Sequence, residues 1–145
     1  MIPAFNADGN LPEGVHVANL DEFLGRFGVG SARRKWLGER FRELLALVKA
    51  TGKLERVFVW GSFVSAKELP NDMDLLLLMN AEFRLADVPE DSRMVFDSVR
   101  AKMRFQADVF WAESSIGEET LLLWLDTYQT TRAFTRRGII ELRKT

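Results

Sequence analysis

The sequence predicts an α+β domain: a mixed β-sheet of three to five strands with helices packed mainly on one face. Three observations carry that expectation. Val57–Trp60 and Leu75–Met79 are apolar runs of strand length bounded by turn residues. Phe105–Trp111 alternates, with Phe105, Ala107, Val109 and Trp111 on one face and Gln106, Asp108 and Phe110 on the other. Around these runs lie stretches with apolar residues at helical spacing, preceded by capping residues. A length of 145 residues allows one domain with a real core and is short for two, so 1–145 is expected to be a single domain.

Residues Met1–Ala18 carry Pro3, Gly9, Pro12 and Gly14, too closely spaced for a helix or a long strand, and are expected to form an extended arm laid over the domain. Within it, Asn6–Asn10 lacks the spacing and the closing glutamate of a calcium loop and reads as a turn. His16 is the sole histidine and is read as structural. Asn19 and Glu22 have the spacing of a capping box for a helix with Leu20, Phe23, Leu24 and Phe27 on one stripe, ending at Gly28. Ser31 caps the next helix, whose apolar stripe is Leu37, Phe41, Leu44, Leu45 and Val48 and which Gly52 closes. Its opposite face, with Arg33, Arg34, Lys35, Arg40 and Arg42, offers charge for phosphate groups, but solvated charge is the commoner case and the expectation here.

Asn80–Glu90 is an irregular connection holding Pro89. Asp91–Lys102 predicts one helix with Met94, Val95, Val99 and Met103 on one side, Ser92 being an equally good cap. Ser115 and Glu118 suggest a second capping box, for a helix through Leu121, Leu122, Trp124, Leu125 and Tyr128. A basic segment with Arg132, Arg136 and Arg137 follows, either approaching the site described next or forming a solvated turn. Ile139–Leu142 is expected as a last strand at a sheet edge.

The formal net charge of −1 argues against a protein that coats nucleic acid, so no strong general nucleic-acid binding is expected. Without cysteine, disulfides, zinc–thiolate sites and cysteine nucleophiles are excluded. No apolar run has the length of a membrane span and the first residues do not resemble a secretion signal, so a cytoplasmic location is the expectation.

The stretch with chemical content is Val57–Met79. An apolar strand stops at Gly61-Ser62, a polar connection follows, and Asp72-Met73-Asp74 opens the next strand. Residues two apart in a strand face the same side, so Asp72 and Asp74 project together, and two adjacent carboxylates call for a cation between them. Asp108 is a third candidate, because an aspartate inside an aromatic and aliphatic strand needs a compensating partner. Glu113 is the fallback for that third place. Taken singly, a Gly-Ser pair is often only a turn, and an Asp-x-Asp also serves as a cap, a calcium site or the nucleotide-sugar metal site of glycosyltransferases, a fold for which this chain is short.

Gly61-Ser62 followed by Asp72-Met73-Asp74 with apolar flanks resembles the signature of the polymerase-beta-like nucleotidyltransferase superfamily. From its Pro3-Ala4-Phe5-Asn6 opening to its Arg136–Leu142 ending, the chain also looks like a branch of small bacterial nucleotidyltransferase-like proteins of uncharacterised function. The resemblance implies a nucleotidyltransferase-like fold and two Mg2+ ions, or Mn2+, held by Asp72, Asp74 and Asp108. Asp108 would hold the catalytic ion near the nucleophile and accept its proton. Gly61 would let the backbone approach a triphosphate, Ser62 would donate to phosphate oxygens, and Lys67 is a candidate for neutralising them.

Two functions of different class follow from this likeness. One is a metal-dependent transferase moving a nucleoside monophosphate from an NTP to a protein or RNA hydroxyl, in a toxin–antitoxin or phage-defence setting. The other is a catalytically inactive binding module acting as an antitoxin or partner-binding protein. Little chain follows Asp108 for the helical part with which larger relatives grip the base, so a partner protein or a second copy in a homo-oligomer is expected to complete the pocket.

Overall fold

The structure, a computed structural model, describes residues 1–143; the last two positions of the expected 1–145 domain lie outside the described residues. Its centre is a five-stranded mixed sheet in the order β1-β5-β2-β3-β4, formed by β1 (Val15–Ala18), β2 (Leu54–Trp60), β3 (Met73–Met79), β4 (Ala107–Glu113) and β5 (Ile139–Leu142). β2 runs antiparallel to both β3 and β5, while β1–β5 and β3–β4 are parallel pairs. The parallel β3–β4 pair requires a crossover, which α3 (Glu90–Arg93) and α4 (Ser98–Phe105) supply. The expected α+β class, with a mixed sheet and helices laid on it, is what forms.

Strand alternation divides the core in two. Val57, Val59, Met73, Leu75, Leu77, Ala107 and Val109 face α1 (Leu20–Phe27), α2 (Ala32–Lys49) and α4, and they share one buried cluster with Phe23, Phe41, Leu44 and Phe105. On the other face Phe58, Trp60, Leu76 and Leu78 pack against Leu121 and Leu125 of α5 (Glu118–Tyr128). Among the described residues α1, α2 and α4 therefore share one face, and α5 covers part of the opposite one. Both α1 and α2 start where the sequence places them: Asn19 and Glu22 form a full capping box, and the Ser31 hydroxyl accepts from the Arg34 N–H.

Several local expectations are corrected. Asp91–Lys102 is not one helix: at Asp97 the backbone is extended and the carboxylate caps the N–H groups of Val99 and Arg100, so α4 begins afresh at Ser98. That restart rotates the apolar stripe. Ala101 and Phe105 are buried, whereas Val99 and Met103 face solvent. Phe105 thus ends a helix rather than starting a strand, and Gln106, at φ 52°, makes the turn into β4. Ser115 does not cap α5, since its hydroxyl bonds Glu113 and the helix starts after Gly117. β5 is not an edge, because the last four residues of the N-terminal arm add β1 beside it. Alternating Val15-His16-Val17-Ala18 is a strand too short to stand out among the surrounding Pro and Gly. The Asn6–Asn10 segment is a turn, its Asn6 Oδ1 accepting from the N–H groups of Asp8 and Asn10, and the His16 ring bonds the Pro12 carbonyl. No helix among the described residues is long and apolar enough to cross a membrane.

Candidate metal and phosphate site

Asp74 is the second residue of β3, and the sheet register sets it between Trp60 on β2 and Asp108 on β4. Its neighbours Met73 and Leu75 point into the helical core, so Asp74 faces the other side of the sheet with Leu76 and Leu78. α5 covers Leu76 and Leu78 but ends at Tyr128, whose ring stacks on Trp60 at a centroid distance of 3.7 Å and an interplanar angle of 7°. The carboxylates therefore lie at the strand end beyond the last turn of α5. Asp72, just before β3, joins them, and one oxygen from each of Asp72, Asp74 and Asp108 lies within 4.8 Å of the others. Carboxylate oxygens at that separation are hard donors that converge on one point, and the three residues can hold a metal ion. Glu113, at the far end of β4, pairs in register with Met79 and is not in the group.

The electrostatics match the geometry. Burial, followed by the charges of Asp72 and Asp108, pushes the Asp74 carboxyl up to about 6, with Lys102 and Arg137 pulling against them. The Lys102 ammonium donates to Asp72 Oδ2 at 2.8 Å and to Asp108 Oδ2 and Oδ1 at 3.1 and 3.2 Å. Burial disfavours that ammonium, yet the hydrogen bonds and charges of the two aspartates outweigh it and raise the Lys102 amine. Arg137 brings one member of the basic segment close enough to act on Asp74, whereas Arg136 pairs with Glu13 and Asp126.

Gly61 closes the site from the β2 side. Its backbone is in the left-handed half of conformational space, at φ 89°, and a Cβ there would collide with Asp74 Oδ2. Ser62 then opens a single 3-10 turn, Ser62–Val64. The loop is anchored from within by Arg34, which is buried, in contrast to the expected solvated face. Its guanidinium donates to the carbonyls of Phe27, Ser62, Phe63, Ser65 and Lys67. Arg33 holds the next part of the connection through the carbonyls of Pro70 and Asn71. Because these carbonyls turn inward onto two arginines, the loop from Ser62 to Asp72 has a fixed path.

A family model matches residues 3–143, nearly the whole chain. The chain belongs to a family of unknown function, DUF6932. No curated protein and no solved structure matches it. In this family member the sequence-predicted Asp72, Asp74, Asp108 and Gly61 converge, and Ser62 follows directly on the β2 side. Lys67 is exposed and contributes its backbone carbonyl to Arg34; the ammonium that meets the carboxylates belongs to Lys102. Arg137 is the member of the basic segment that approaches the site, whereas the roles of Lys102 and Arg34 do not follow from the sequence pattern. A signal existed for Lys102, which lies six positions before Asp108 on the helix that delivers β4.

Proposed function

We propose that the protein is a Mg2+-dependent nucleotidyltransferase that moves a nucleoside monophosphate from an NTP to a hydroxyl of a protein or RNA acceptor. One observation carries this reading: Asp74 and Asp108 on adjacent strands and Asp72 just before the first of them converge beside a glycine whose place admits no side chain. When bound, divalent ions held by Asp72, Asp74 and Asp108 supply Lewis-acid activation of the α-phosphate and of the attacking hydroxyl. The chain's own groups do the rest. Gly61 keeps the turn beside Asp74 free of a side chain, and the hydroxyl of Ser62, the next residue, would serve as a donor to phosphate oxygens. Arg137 adds positive charge near Asp74. Asp108, on the outer strand of the sheet, accepts the proton of the acceptor hydroxyl as its oxygen bonds the α-phosphorus and pyrophosphate leaves.

The test is transfer of label from α-labelled NTPs, offered one base at a time with Mg2+ or Mn2+, to acceptors in a lysate of the source cell. Label on a discrete acceptor that disappears with Asp72→Asn and Asp74→Asn supports the reading. Undiminished labelling by the double variant contradicts it. A second reading, an inactive module that works by binding a partner protein, is favoured by one observation: Lys102 already neutralises part of the carboxylate charge without a metal. It calls for a stable protein complex that forms equally with the aspartate variants and in the presence of a chelator.

A further inference from the structure

The ammonium of Lys102 sits where a cation shared by Asp72 and Asp108 belongs. It is 2.8 Å from Asp72 Oδ2 and 3.1 and 3.2 Å from the two Asp108 oxygens, so its donors are directed at two of the three carboxylates that can hold a metal. The placement is built into the fold. Asp97 fixes the start of α4, Gln106 terminates it in a left-handed turn onto the Lys102 carbonyl, and Lys102 therefore projects from the final turn toward the ends of β3 and β4. The match is also incomplete, because Lys102 makes no hydrogen bond to Asp74, whose carboxyl is left beside two like charges.

We propose that Lys102 is the resident counter-ion of this site, holding Asp72 and Asp108 together in the absence of metal and leaving them when a divalent cation binds. The inference rests on the metal-site reading of the triad and adds to it the residue that opposes loading. Mg2+–oxygen distances are about 2.0–2.1 Å, so an ion held by Asp72 and Asp108 would compete with the ammonium for their oxygens at close range. Two cations at that range in a half-buried site repel strongly, and the ammonium is the one on a flexible tether. It has somewhere to go: its side chain is 39% exposed, and its four-carbon stem can swing to water or to the phosphates of an incoming nucleotide. Lysine at position 102 thus keeps three clustered carboxylates compatible with a folded, metal-free protein and lowers their affinity for free metal.

The experiment is a titration of Mn2+ alone into the full chain, with bound ion read by electron paramagnetic resonance, for wild type, Lys102→Met and Lys102→Gln. Displacement predicts that both variants bind Mn2+ about tenfold more tightly or better, the scale on which groups contacting metal ligands act on metal affinity. Equal or weaker binding by the variants, with wild type binding, overturns the counter-ion role and leaves the metal site standing. Absence of binding in all three overturns both. A measurement on the wild type alone guards against variants that do not fold: acylation of Lys102, followed by mass spectrometry, must rise when Mn2+ is added. Unchanged acylation at saturating Mn2+ overturns the proposal.

Discussion

The Asp74 carboxylate rests against the Cα of Gly61, in the space that the Cβ of any other residue at position 61 would occupy. Glycine there answers two demands at once, a φ of 89° that other residues avoid and a contact that they cannot make. Gly61→Ala is expected to displace Asp74 and to destabilise the protein by about 1–3 kcal/mol, the range for a non-glycine residue forced into such a conformation. Urea unfolding measures this. Gly25→Ala is the matched control, since Gly25 is exposed within α1 and a Cβ there would enter open space, and it should stabilise by about 0.5–1 kcal/mol.

Asp74 also makes stability depend on pH. Its carboxyl titrates at about 6 in the folded chain, against about 3.9 for an unperturbed aspartate. Between these values the folded state holds a proton that the unfolded state has lost, so this group's contribution to stability falls as pH rises through that window and levels off above it. Denaturant midpoints of wild type and Asp74→Asn, compared from pH 4 to 7 without metal, should converge at the acid end and separate in favour of the asparagine variant toward neutrality. Parallel profiles would show that Asp74 is not held among like charges.

Arg34 is predicted to be the most sensitive arginine of the chain. Arg34→Met leaves the inward-turned carbonyls of Ser62, Phe63, Ser65 and Lys67 without their donor and should destabilise by about 3 kcal/mol or more. Arg34→Lys keeps the charge, loses the planar fork, and should recover only part of that. Arg42, on the outer surface of the same helix and without an ion pair among the described residues, serves as the comparison; Arg42→Met is expected within about 0.5 kcal/mol of wild type.

Much of the site was legible because strand alternation is strict. Asp72 and Asp74 share a face by their spacing, and Asp108 stood out as an acid among Ala107, Val109 and Trp111. The caps at Asn19 and Ser31 were legible for the same reason, a local pattern with a local cause. What escaped depends on tertiary contact. Arg34 looked like one more charge on a basic helix face, and only the path of the Ser62–Lys67 loop makes it buried. Lys67 was the nearer lysine in sequence, yet the restart of α4 at Asp97 brings Lys102 to the carboxylates instead. Val15–Ala18 became a strand because β5 offered it an edge, which no feature of the arm itself announces.

The proposed role of Asp72, Asp74 and Asp108 is to hold divalent metal for phosphate chemistry. Crystals soaked with Mn2+ and a non-hydrolysable NTP analogue, with anomalous scattering recorded at the manganese edge, test it most directly. Manganese is expected among the three carboxylates, with the analogue's phosphates against Gly61 and Ser62 and the Lys102 ammonium moved off Asp72 and Asp108. Fully occupied analogue or excess Mn2+ with no anomalous peak at the triad, and Lys102 still bridging the two aspartates, would contradict it.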